Sequence, residues 1–334
     1  MVGDDGRRFL AGSLSGFSVR LLTQPFDVLK IRFQLQVEPI KRLSPASYYS
    51  SLPQAFCRIF REEGIYGLWK GHVPGQLLSV TFCGVEFAVF YGLKALSATS
   101  FGYLQTHVHR DLIYGTVAGT IAMTLCQPLD VMRTRLVAQG QKRVYSGLVM
   151  GLLELVRNEG VLALWRGLGP SCVLIVPQTA VTFAAYEQLK RTYQNHIGSI
   201  TRSSVNVSSP DLKDSLPRWA SLIAGSVSGL IAKTAVYPLD LIKKRLAVRG
   251  FEEARRCFGQ VPDSYTAASY RLSNLRRVPT QFYATLACFH GILVQEGLIG
   301  LFKGWTPSAC KAMLSTGLTF LFFEQYLQLL ENLS

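Results

Sequence analysis

Three short segments of this chain set a proline, an aspartate and two cations in one fixed order. They are Pro25-Phe26-Asp27-Val28-Leu29-Lys30-Ile31-Arg32, Pro128-Leu129-Asp130-Val131-Met132-Arg133-Thr134-Arg135 and Pro238-Leu239-Asp240-Leu241-Ile242-Lys243-Lys244-Arg245. An aspartate and a cation three apart share one helix face, so the chemistry on offer is ion pairing. A surface pair within one helix is the plain reading. Proline inside a helix removes a backbone donor and bends the axis. Three such pairs just past three bends can instead meet each other across a bundle. Nothing comparable points to bond-making chemistry. The five histidines (72, 107, 109, 196 and 290) form no set with a nucleophile, and the seven cysteines include no CxxC pair.

Two further signatures keep step with the first. Glu63-Gly64 leads to Trp69-Lys70-Gly71, Glu159-Gly160 to Trp165-Arg166-Gly167, and Glu296-Gly297 to Phe302-Lys303-Gly304, each followed by Pro74, Pro170 or Pro307. The GxxxG pairs Gly12/Gly16, Gly115/Gly119 and Gly225/Gly229 each start 13 residues before a motif proline. Three motifs in one order, three times over, define a tandem repeat. The repeats are read as residues 1–100, 101–200 and 201–334. Asp240 to Glu296 spans 56 residues against 29 for Asp130 to Glu159, so the third repeat carries an insertion at about 250–280.

These motifs need helices to hold them. Each repeat reads as an apolar helix running through its Pro-Asp motif, a polar loop, and a second apolar helix. The spans are 9–36 and 72–95, 111–138 and 168–192, 218–247 and 305–330, each long enough to cross a bilayer. Arg20 and Lys233 fall inside such spans, where a charge is costly against lipid and belongs against protein or water. The GxxxG glycines are expected to let neighbouring helices pack closely. The fold class is therefore an all-α membrane protein of six transmembrane helices around a central cavity.

Composition agrees with that reading. Of 334 residues, 49% are hydrophobic, and the mean hydropathy is only +0.22, as for a bundle enclosing a wet interior. The formal charge of +14 fits an anionic membrane surface or an anionic ligand better than nucleic acid, because the cations recur at fixed offsets and form no single patch. Met1–Arg8 does not read as a cleavable signal. The basic loops within repeats weakly place those loops on the negative side of the membrane.

In order and number, the motifs resemble the mitochondrial carrier family, over essentially the whole chain. The resemblance implies a multi-pass, monomeric protein of the mitochondrial inner membrane, with no enzymatic activity and no cofactor, exposing one central site alternately to each side. It implies membrane lipid and a small anionic metabolite as partners, and no nucleic acid. It pairs Asp27 with Arg133, Asp130 with Lys243, and Asp240 with Lys30 as a matrix gate, with Gln34 bracing it. It also implies a second gate on the cytoplasmic side, built from an aromatic, an acid and a cation on the even helices. Tyr186-Glu187-Gln188-Leu189-Lys190 matches that pattern, whereas Phe90–Lys94 lacks the acid and Phe323–Leu327 lacks the cation. Glu324 with Lys94 is the pair left between helices, so this gate is expected to be the weaker, with Glu187 and Lys190 completing its set.

Substrate contacts, again by resemblance, fall at Leu78, Leu174 and Lys311, seven residues past each signature glycine. Arg20, Met123 and Lys233 stand five residues before each motif proline. Arg20, Lys233 and Lys311 together suit an anion, while Leu78, Leu174 and Ile175 suit an organic body. Glu86 is a membrane-depth acid that either meets a cationic substrate group or neutralises a neighbouring arginine. Within the family, Lys70–Pro74, Arg249–Glu252 with Phe258–Val261, and Ala312–Gly317 resemble the branch that carries thiamine pyrophosphate. Nucleotides, deoxynucleotides and coenzyme A share the same anion chemistry and stay open as alternatives.

Overall fold

The computed structural model describes residues 4–38, 48–100, 107–140, 143–201, 218–249, 251 and 280–332. The 250–280 insertion, including Phe258–Val261, therefore lies outside the described residues apart from Phe251 and Thr280. The first repeat gives α1 (Asp4–Leu35), α2 (Leu52–Glu63) and α3 (His72–Ser100). The second gives α4 (His107–Ala138), α5 (Leu148–Glu159) and α6 (Leu168–Thr201), and the third α7 (Arg218–Ala235), α8 (Tyr237–Ala247), α9 (Thr280–Gly300) and α10 (Trp305–Asn332). Short 3-10 turns at Ile65–Trp69 and Val161–Trp165 link the small helices α2 and α5 to α3 and α6.

The prolines explain a difference among the repeats. A proline cannot donate to the carbonyl four residues before it, which leaves the carbonyls of Leu21, Thr124 and Thr234 without their usual partner. Trp69 Nε1 donates to the Leu21 carbonyl at 3.1 Å, and Trp165 Nε1 to that of Thr124 at 3.0 Å. Both α1 and α4 continue through their proline as 32-residue helices. In the third repeat the equivalent residue is Phe302, which has no donor. Trp305 Nε1 instead reaches the Thr234 hydroxyl at 2.9 Å. Here the helix is interrupted at Val236 (φ −94°, ψ 2°), and the single span expected over 218–247 is the two helices α7 and α8.

Ile65–Leu96 and Val161–Tyr193 are long and apolar enough to cross a membrane, and Ala284–Gly300 with Trp305–Glu331 qualifies as a pair bent by 63°. Among the described residues, the helices carrying the Pro-Asp motifs do not meet that test. Such helices belong where their polar faces meet protein or water.

Neighbouring repeats pack along α10–α1, α3–α4 and α6–α7. The close approaches lie at one end. Gly71, Gly167 and Gly304 adopt positive φ (73°, 80° and 80°), and a Cβ on them would stand about 3 Å from the Arg133, Lys243 and Lys30 carbonyls of the adjoining repeat. The main apolar core fills the same end, with Val28, Ile59, Leu68, Val131, Met132, Val137 and Leu155 buried. The GxxxG glycines do not build the bundle in this conformation, contrary to the expectation above. No heavy atom lies within 4 Å of a Cβ placed on Gly12, Gly16, Gly115, Gly225 or Gly229, while Gly119 has Ile175 Cγ2 at 3.4 Å and Glu86 Oε1 at 3.7 Å.

Candidate functional site

Past each proline the helix carries its aspartate inward, and the three aspartates meet cations from other repeats. Arg133 Nη2 lies 2.5 Å from Asp27, Lys30 Nζ 2.6 Å from Asp240, and Lys243 Nζ 2.9 Å from Asp130. Gln34 Nε2 donates to Asp240 Oδ2 at 3.2 Å. Asp27 and Asp130 are each met by a second cation. Lys311 Nζ sits 2.7 Å from Asp27, and Lys244 Nζ 2.6 Å from Asp130 and 3.2 Å from the Thr134 hydroxyl. Each aspartate thus holds two side-chain donors, which a buried carboxylate requires if it is to stay charged.

A second layer of charge locks this ring to the short helices. The last motif cation of each repeat, Arg32, Arg135 or Arg245, pairs with Glu63, Glu159 or Glu296 at 2.7, 3.0 and 2.9 Å. The same arginines donate to carbonyls at the end of the next motif helix: Arg32 to Val137 and Gln139, Arg135 to Ala247 and Arg249, Arg245 to Gln34 and Gln36. Lys70, Arg166 and Lys303 pair with the same three glutamates and supply further donors to those helix ends. A cation over a helix C-terminus satisfies orphan carbonyls and opposes the helix dipole. Outside the membrane spans, burial pushes the Glu63 and Glu159 carboxyls up, but their basic partners outweigh it and hold both below the usual range. Sequence reasoning missed this belt, although the threefold recurrence of its residues was the signal for it.

Above the ring, Arg20 Nη1 donates to the Ser79 hydroxyl. Lys233 lies within electrostatic reach of Lys30, Lys311, Asp27 and Asp240. The three cations expected to form an anion site are therefore near acids after all. Those acids are remote in sequence, and Lys311 contacts one directly. Seven cations (Arg20, Lys30, Arg133, Lys233, Lys243, Lys244, Lys311) surround three carboxylates, so the floor of the cavity carries excess positive charge. Glu86 is half-buried two turns beyond Ser79 on α3, about 10 Å along the axis. Glu86 and Ile175 both approach Gly119 of α4. Leu78, next to Ser79, and Leu174, its equivalent in the second repeat, are half-buried.

At the opposite end, Lys94, Glu187 and Glu324 are exposed and Lys190 is half-buried. The ion pair found there joins Glu187 to Arg191 within one helix, at 3.4 Å. Glu324 is not brought onto Lys94. A mostly apolar groove of about 660 Å³ lies between α7 and α10, lined by Val227, Leu230, Ala312 and Met313 with Ser315 and Thr316. The arrangement has a buried ring of paired charge at one end and exposed, mostly unlinked charges at the other.

The model of the family described as mitochondrial carrier protein matches residues 5–100, 105–197 and 214–334. The mitochondrial thiamine pyrophosphate carrier of Bos taurus is 39% identical over 95% of this chain and 90% of its own length, and that of Homo sapiens is 37% identical over 94% and 89%. The mitochondrial thiamine diphosphate carrier 1 of Arabidopsis thaliana is 33% identical over 94% and 91%. Three matched repeats covering the three structural repeats, with relatives aligned nearly end to end, place this chain in the mitochondrial carrier family, whose members are multi-pass transporters of the mitochondrial inner membrane.

Proposed function

We propose that this protein carries thiamine pyrophosphate across the inner membrane by alternating access, in exchange for another phosphorylated metabolite. The observation that supports it best is the vertical order of charge in the cavity. Excess cations form the floor, apolar Leu78 and Leu174 stand at the positions equivalent to Lys311 in the other two repeats, and the carboxylate of Glu86, with Ile175 close to the same glycine of α4, stands about 10 Å above Ser79. A molecule with a pyrophosphate at one end and a cationic ring at the other matches that order. ATP and coenzyme A share the phosphates but offer Glu86 no fixed cation. The names of the relatives agree with this substrate.

In this reading Arg20, Lys233 and Lys311 engage the pyrophosphate and Glu86 faces the thiazolium or aminopyrimidine. The ring of Asp27, Asp130 and Asp240 with Arg133, Lys243 and Lys30, braced by Gln34, closes the matrix side. Lys94, Glu187, Lys190 and Glu324 belong to the cytoplasmic gate, which stands open. The protein acts as a monomer, is not an enzyme, and uses no cofactor. Uptake of labelled thiamine pyrophosphate into liposomes, with and without internal substrate and with ATP, dADP or coenzyme A as competitors, tests this directly. Saturable uptake that requires internal substrate and resists the competitors is expected. Glu86→Gln is expected to erase the preference for thiamine pyrophosphate over ATP. An unchanged preference removes Glu86 from the site.

A further inference from the structure

Along the seam between the first and second repeats, close contacts fix the register of α3 against α4. A Cβ on Gly71 would stand 2.8 Å from Val137 Cγ2, and one on Gly75 3.0 Å from Arg133 Nε, so four residues up α3 answer four residues down α4. The pairing continues further along, where a Cβ on Gly119 would stand 3.7 Å from Glu86 Oε1. Between these levels, two turns on from Gly75 and two turns back from Arg133, stand Cys83 and Cys126. Cys126 is fully buried on the helix face it shares with Ala118 and Ala122, while its neighbour Leu125 points outward at 60% exposure. Small residues along one face let a partner helix approach closely. The two thiols lie within electrostatic reach of each other, and Cys83 within reach of Arg20. Cys83 itself is exposed.

The other two seams carry no such pair. Counted from the same signature glycine and motif proline, the equivalent residues are Thr179 with Val236 and Thr316 with Thr23. Thr179 and Thr316 return their hydroxyls to the Ile175 and Ala312 carbonyls of their own helices, at 3.0 and 3.1 Å. Threefold packing therefore does not call for sulfur at these positions, and the facing thiols are a feature of one seam.

We propose that Cys83 and Cys126 are a site of reversible oxidation, where hydrogen peroxide closes a disulfide between the first and second repeats. Peroxide is small and uncharged, and exposed Cys83 is the thiol it meets. The Cys83 sulfur attacks one peroxide oxygen, the O–O bond breaks, and the departing hydroxide takes the thiol proton as water, leaving a sulfenic acid. The Cys126 sulfur then attacks the Cys83 sulfur and the S–O bond breaks. The second hydroxide leaves with the Cys126 proton as water. Two electrons pass from the sulfurs to the peroxide, and a thiol reductant reverses the bond. A covalent link between two repeats stops them moving against each other. This lock rests on the alternating access proposed above, but its chemistry is indifferent to the substrate.

The test treats the purified full chain in liposomes with hydrogen peroxide. The intact mass is expected to fall by two hydrogen atoms, with the Cys83 and Cys126 peptides joined and uptake of labelled thiamine pyrophosphate lost. Dithiothreitol is expected to restore the free thiols and the uptake together. Cys83→Ser and Cys126→Ala are each expected to prevent the cross-link and to keep uptake through the treatment. The change at exposed Cys83 keeps the test valid if the one at buried Cys126 folds poorly. Oxidation of Cys83 without a cross-link overturns the site, as does a peroxide-induced loss of uptake that persists in Cys83→Ser. A cross-link that leaves uptake intact overturns the lock. If the cross-link forms in a protein that takes up no thiamine pyrophosphate even when reduced, the site stands and the substrate assignment falls.

Discussion

The two ends of the cavity use the same residue types under different conditions. At the ring, Asp130 and Lys243 are almost wholly buried, and the aspartate accepts from two lysines. At the other end Glu187 and Arg191 pair at 3.4 Å with more than half of each side chain exposed, and Glu324 stands in the open. Exposed pairs contribute about 0–1 kcal/mol, whereas removing one partner of a buried pair costs about 3–5 kcal/mol because the other charge is stranded. Charge at the ring therefore contributes more to the stability of this conformation than charge at the exposed end. The incomplete motifs at the open end, without an acid at Tyr91 or a cation at Leu327, point the same way.

Asp130→Asn is the sharpest way to break this contrast. It strands Lys243 and Lys244 together and is expected to lower unfolding free energy by about 3–5 kcal/mol, read as a large fall in thermal midpoint. A loss no larger than that from Glu324→Gln would mean that the ring is wet and the comparison is wrong. Next comes the belt. Glu159→Gln leaves Arg135 and Arg166 with a neutral partner and is expected to cost about 2 kcal/mol. The same belt predicts a pH dependence. Glu63 and Glu159 are held below their ordinary values, so their stabilisation is fully present above the unfolded carboxylate value of about 4. It is lost only as pH falls through the lower folded values. The thermal midpoint should accordingly hold from neutral pH down to about 5 and drop in stronger acid.

Smaller effects test the differences among repeats. Trp165→Phe removes the donor that answers the Thr124 carbonyl and is expected to cost about 1 kcal/mol, with increased amide exchange confined to α4 around Pro128. Trp305→Phe, at a joint that is already broken, should loosen the backbone less. Least of all, Glu324→Gln is expected to change stability by less than about 0.5 kcal/mol in the open conformation.

Much of this protein was legible before any coordinates. Three motifs in step defined the repeat, proline and aspartate marked where helices bend and carry charge inward, and the even helices were apolar enough to read as spans. Periodicity reports which residues share a face of one helix, and these conclusions needed nothing more. Which faces oppose each other is a different question. Lys311 contacts Asp27 across 284 positions, Gly75 brings Arg20 and Arg133 together, and the GxxxG glycines line space instead of packing. The interruption at Val236 occurs in the repeat that has a phenylalanine where the other two have tryptophan, a detail that matters only once the indole is seen to answer a proline-orphaned carbonyl. Local pattern is set by bonds and turns a few residues long. The balance of charge at the site is set by closure of three repeats on one another, and so only the tertiary structure decided it.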